Sequence, residues 1–177
     1  MVPDGVLHPK FAQKKLGRGM WVCNDQRVVQ RLHDRQMHRV VAPDASLSPH
    51  LRPMLTYQFQ QRLVQEAELL LERVRHRRIA AETKHEAALA VRLLDTTEGG
   101  QARRALPGAG FEYALPHLMP DAALREALWQ VLASTARRGP RLCTPVDAGY
   151  AVAQHAATAP LCVALWRASS WMDSRNE

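Results

Sequence analysis

Apolar residues recur at helical spacing through the first half of this chain and gather into continuous runs towards its end. Leu51, Leu55, Phe59, Leu63, Ala67, Leu70 and Val74 step by three or four residues, which predicts a helix of about seven turns with one apolar stripe. Gln58, Gln61, Arg62, Gln65, Glu66 and Glu72 fill its polar face, and Ser46 or Ser48, with Pro49 in the first turn, marks its start. Upstream, Asn24 or Asp25 caps a helix carrying Val28, Val29 and Leu32, which fades near Met37 into a short β-prone piece, Arg39-Val40-Val41. Downstream, Ala88, Leu89, Val91, Leu93 and Leu94 predict a second helix over about Glu82 to Leu94. Asp121 then caps a helix with Leu124, Leu128, Val131 and Leu132 on one face, closed by Arg137-Arg138-Gly139-Pro140. Leu142, Thr144 and Val146 alternate with Arg141, Cys143 and Pro145 as in an edge strand. The run Pro160-Leu161-Cys162-Val163-Ala164-Leu165-Trp166 is almost wholly apolar and predicts a strand buried on both faces.

The breakers divide the chain. Residues 95–120 hold Gly99-Gly100, Pro107-Gly108-Ala109-Gly110, Pro116 and Pro120, together with Phe111, Tyr113, Leu115, Leu118 and Met119. Such a mixture predicts a folded surface insertion. The expected organisation is a basic extended arm over 1–23, one α+β core domain over 24–94 and 121–168, the insertion at 95–120, and a tail at 169–177. The fold class is α+β: a compact, helix-rich domain with a small mixed sheet. Its order is helix, short strand, long helix, helix, insertion, helix, strand, strand.

Charge sharpens this picture. The net charge of the 177-residue chain is +7, with Arg far outnumbering Lys. That balance favours a polyanionic partner. The surplus is greatest in residues 1–50, where eight Lys and Arg face four Asp and Glu. Lys10, Lys14, Lys15 and Arg18 lie there among Pro3, Gly5, Pro9, Gly17 and Gly19, so the arm is read as extended along phosphates. Arg73, Arg75, Arg77 and Arg78 crowd the end of the long helix, and Arg137, Arg138 and Arg141 the helix-to-strand turn. These three clusters are the candidate RNA contacts, of the kind that position a protein without reading sequence. Trp21 is a further candidate, for stacking on bases.

Catalytic chemistry finds little purchase. His33 and His38 lack the H-E-x-x-H order that puts two imidazoles on one helical face. Cys143 has no His or acid tied to it, and Glu68 and Glu72 read as a salt-laced solvent face. No Gly-rich phosphate loop follows a strand. Cys23, Cys143 and Cys162 are odd in number and widely spaced, as reduced thiols are. No run approaches the roughly 18 apolar residues of a membrane span. No enzyme, cofactor, metal site, membrane span or small-molecule substrate is expected.

Several motifs carry a resemblance. Lys15-Leu16-Gly17-Arg18, the helix Arg62–Leu70, His85-Glu86-Ala87-Ala88-Leu89-Ala90, and Asp121-Ala122-Ala123-Leu124 are similar to segments of the bacterial-type ribosomal large-subunit protein seventeen family. So are Arg138-Gly139-Pro140-Arg141-Leu142-Cys143-Thr144, the pair Gly149-Tyr150, and the closing Ala159–Trp166. Gly19-Met20-Trp21-Val22 stands where that family has a His-Arg pair, and 95–120 has no counterpart. The resemblance implies a structural protein on the outer surface of the large ribosomal subunit near the polypeptide exit region. Its partners would be large-subunit rRNA and adjacent ribosomal proteins, and its divergence points to a mitochondrial ribosome before a bacterial or other organellar one. The alternatives are a basic accessory subunit of another mitochondrial complex without RNA contact, and a free nucleic-acid-binding regulator.

Overall fold

Two interhelical contacts fix the arrangement of this α+β protein, which is known from a computed structural model describing residues 6–7, 22–40, 43–76, 89–97, 101–106 and 110–174. The elements are β1 (Val6–Leu7), α1 (Gln26–Asp34), a 3-10 turn (Met37–Val40), β2 (Ser46–Leu47) and α2 (Leu51–Arg75), then β3 (Leu89–Leu94), β4 (Arg103–Leu106), β5 (Gly110–Ala114) and α3 (Leu115–Leu118). The chain continues through α4 (Ala122–Arg138), β6 (Cys143–Val146), β7 (Gly149–Ala153) and α5 (Ala159–Asp173). Strands β3 to β7 form one mixed sheet in the order β4-β5-β3-β7-β6, with β3 and β5 parallel and the other neighbours antiparallel. The short β1 and β2 pair in parallel.

The inner face of the sheet buries Val91, Leu93, Tyr113, Cys143 and Val152. α4 covers one part of it, with Trp129 and Tyr150 rings 5.1 Å apart. α5 covers another, where Ser169 meets Tyr113. On the outer face, Arg104, Glu112, Arg92, Ala151 and Thr144 stand in one cross-strand row, and Arg104 ion-pairs Glu112 at 2.7 Å.

α2 packs on both α4 and α5. Gln60 accepts from the Asp121 amide near the start of α4, and Val74 meets Gly139 at its end, so α2 and α4 run parallel. Trp171 Nε1 donates to Thr56 Oγ1 and Arg73 donates to the Ala157 carbonyl, so α5 runs antiparallel to α2. Leu63, Ala67 and Leu70 fill the resulting helical core, as the stripe predicts.

Local signals held where a cap defines them. Asp25 accepts from the Arg27 amide, and Asp121 from the amides of Ala123 and Leu124. Five expectations are corrected. α2 begins at Leu51 with His50 as its cap, while Ser48 Oγ accepts from the His50 amide in the turn before it. The β-prone Arg39-Val40 lies in the 3-10 turn, and Val41 lies outside the described residues. Within the second predicted helix, Leu89–Leu94 is the central strand β3, and 82–88 lie outside the described residues. A six-residue segment that is apolar but for Arg92 satisfies either period, and pairing on both sides decided it.

The other two corrections are larger. The stretch 95–120 supplies β4, β5 and α3 to the core, with Leu115, Leu118 and Met119 fully buried, while 98–100 and 107–109 lie outside the described residues. Pro160–Trp166 is not a strand. It lies in α5, with Pro160 in the first helical turn where its missing N–H costs nothing, and the expected tail at 169–173 completes that helix with Trp171 buried.

Candidate nucleic-acid interface

Parallel packing of α2 and α4 places two helix C-termini side by side, and the sequence puts cations on both. Arg73 and Arg75 lie in the last turn of α2, and Arg137 and Arg138 in the last turn of α4. Cations are favoured there because the aligned peptide dipoles leave partial negative charge at a helix C-terminus. Arg141 extends the set into the exposed turn beyond Gly139, where no helix end accounts for it. Antiparallel α5 brings its own N-terminus to the same end, through the Arg73–Ala157 hydrogen bond of 3.0 Å.

The clusters at the α2 end and at the α4 turn, separate in sequence, are therefore one surface. Gly139 makes this possible. A Cβ there would stand 3.1 Å from Val74 Cγ1, so the absence of a side chain lets the turn close on α2. The counter-charge is Glu72, which ion-pairs Arg75 at 2.6 Å and faces His76 at 3.3 Å. The hydrogen bond from Arg75 holds the Glu72 carboxyl below its ordinary range. Three other acids lie towards the opposite end: Asp121 at the α4 cap, Asp147 in the β6–β7 turn, and Asp95, whose amide donates to the Ala148 carbonyl.

The predicted contacts fare unequally. Arg75, Arg137, Arg138 and Arg141 are exposed on this end, and Arg73 is half-buried with one guanidinium nitrogen on a carbonyl. Arg77 and Arg78, the arm residues Lys10, Lys14, Lys15 and Arg18, and Trp21 lie outside the described residues. Periodicity could reveal neither the part played by Glu72 nor the approach of the α5 N-terminus. Both depend on which helices pack together.

Elsewhere the polar residues serve the fold. Among the described residues no three His, Cys, Asp or Glu side chains converge as a metal site would require. His38 is buried with Nε2 on the Ala45 carbonyl, whereas His33 is exposed beside Asp34. Cys143 Sγ faces the Leu132 carbonyl, and burial pushes its thiol up to about 12. Glu66 is buried and ion-paired with Arg62. An open groove of 660 Å³ at the start of α2 is lined by residues including His33, Arg52, Tyr57 and Gln60. Its buried Gln26 is engaged, donating to the Trp171 carbonyl and accepting from Arg52. No helix among the described residues is long and apolar enough to cross a membrane. No family model, curated protein or solved structure matches this chain at a significant level.

Proposed function

We propose that this chain is a non-catalytic RNA-binding protein that grips the phosphate backbone with the basic end formed by α2, α4 and the turn after Gly139. The observation that carries the reading is the convergence of Arg73, Arg75, Arg137, Arg138 and Arg141 on one surface with Glu72 as the acid among them. Helix dipoles explain individual cations near each terminus, but not the continuation to Arg141 or the pairing of the two ends. Such a surface gains affinity by displacing condensed counterions and carries no base code.

The large ribosomal subunit, in mitochondria first, is the assembly this proposal names, on the strength of the resemblance. The helix at Ala159–Asp173 removes the closing strand on which that resemblance leaned most, so the reading rests on the basic end. Two measurements test it. The full chain should bind RNA with an affinity falling steeply with salt. Arg137→Glu, Arg138→Glu and Arg141→Glu together should flatten the log–log salt slope by roughly 2, at about 0.7 per phosphate contact on single strands. An unchanged slope would remove this surface from the interface. In cells, co-sedimentation with large subunits should be lost on RNase treatment, and a protein-only assembly would refute the ribosomal assignment.

A further inference from the structure

The outward face of α5 is the least expected surface of the molecule. A helix on a protein surface normally shows charged and polar residues to water. Here the outward face is Ala159, Val163, Trp166 and Ser170, with Arg167, one turn beyond Val163, as its charge. Trp166 is 51% exposed and Val163 47%, and Leu69 on the neighbouring α2 is also 47% exposed. The second tryptophan of α5 behaves differently: Trp171 is buried, stacked near Phe59 and hydrogen-bonded to Thr56.

Two arginines lie level with this stripe. Counting along the antiparallel pair from its two anchoring contacts, Arg73–Ala157 and Thr56–Trp171, sets the turn Arg62–Glu66 level with Val163–Trp166. Arg62 pairs with the buried Glu66 yet keeps about half its side chain in water, at 52% exposure. Arg167, exposed, is the cation of α5 itself. An apolar centre holding a tryptophan, rimmed by arginine, has the make-up of a protein interface core.

We infer that this face docks a second, different protein, one presenting an apolar surface edged with carboxylates. A further copy of this chain fits poorly, since the acid level with the stripe, Glu66, is buried and already paired with Arg62, leaving it no carboxylate to offer Arg167 of a second copy. RNA fits poorly as well, because the middle of the stripe offers no cation to a phosphate. The centre of the stripe, Val163 to Trp166, lies one to two turns along α5 from the basic end.

The test is site-specific photo-crosslinking in the cells that make the full chain. A benzoylphenylalanine at Val163 is compared with one at exposed Glu126 of α4. The expected result is an RNase-resistant crosslink from position 163 alone to one other protein. That protein, purified, should bind the full chain, and Trp166→Ala should weaken binding roughly 30-fold, as loss of an interface anchor does. Arg167→Glu should weaken it too, and neither change should move the thermal midpoint. Crosslinks to a second copy or to RNA, the same product from both positions, no product, or unchanged affinity of the Trp166 variant would each overturn the inference. RNA binding by the basic end is scored separately, in the salt titration, and survives any of these outcomes.

Discussion

Val74 of α2 packs against Gly139, the residue that ends α4, so closely that a Cβ there would stand 3.1 Å from Val74 Cγ1, tighter than an ordinary contact. Gly139 has φ −140, an extended backbone open to any residue, so its role is spatial. Gly139→Leu is expected to cost about 1–3 kcal/mol, as overpacking does. It should also weaken RNA binding, because parting the two helix ends separates their cations. Val74→Ala in the same chain should restore part of both losses. A double-mutant cycle in urea and in RNA titrations that finds no coupling would show the contact to be irrelevant to binding.

Glu72 restrains the same surface. Its carboxylate occupies Arg75 and faces His76, and the Arg75 hydrogen bond keeps it ionised through mildly acid pH. Glu72→Gln should raise RNA affinity about 2- to 5-fold at low salt, an advantage that shrinks as salt screens the freed charge. Lowering the pH from 7 to 5.5 should not reproduce that gain through Glu72, since a lowered pKa leaves the group charged in that window. Fluorescence titration with one RNA at two salt concentrations and two pH values decides the matter.

The β6–β7 hairpin makes a pair of opposite predictions. A Cβ at Gly149 would meet the Leu93 carbonyl oxygen at 1.9 Å, inside the β3–β7 ladder. Gly149→Ala should therefore destabilise by about 3 kcal/mol or more, since backbone cannot step aside as a flexible side chain can. Its neighbour Ala148 sits at φ 57, where a Cβ is a burden. Ala148→Gly should raise stability by about 0.5–1 kcal/mol. Urea melts of the two variants should move in opposite directions.

Cys143 predicts a loss of stability in alkali. Burial raises its thiol from 9.0 to about 12. Between those values the unfolded chain sheds the proton while the folded chain keeps it, so unfolding is favoured as pH rises. The stabilisation is complete below pH 9 and is lost as the pH climbs towards the folded value. Cys143→Ala should abolish this component of the pH dependence, whatever its effect at neutrality. Thiol labelling of the native protein at pH 8 should modify exposed Cys23 and leave Cys143 silent until unfolding.

Legibility in the sequence followed the range of the forces involved. The Asp25 and Asp121 caps, the α2 stripe and the cations at the ends of α2 and α4 were all readable, because each depends on neighbours within a turn or two. The run Leu89–Leu94 was misread because its apolar pattern suits helix and strand alike until Phe111–Ala114 and Gly149–Ala153 lie beside it. The breakers of 95–120 were visible, but not that Arg103–Leu106 and Gly110–Ala114 pair as strands of the core sheet. Pro160–Trp166 misled for a physical reason: a continuous apolar run suggests a strand buried on both sides, whereas here it is a helix with one such side in water.

By itself the sequence determined a basic α+β chain, the helices whose ends carry caps, and the candidate cations, all consequences of composition and short-range periodicity. Tertiary structure alone decided that two of the basic clusters form one surface, that β4, β5 and α3 belong to the core, and that Trp166 faces outward. Each of those depends on which distant segments touch, and contact between residues 74 and 139 or 73 and 157 is a property of packing that no local pattern encodes.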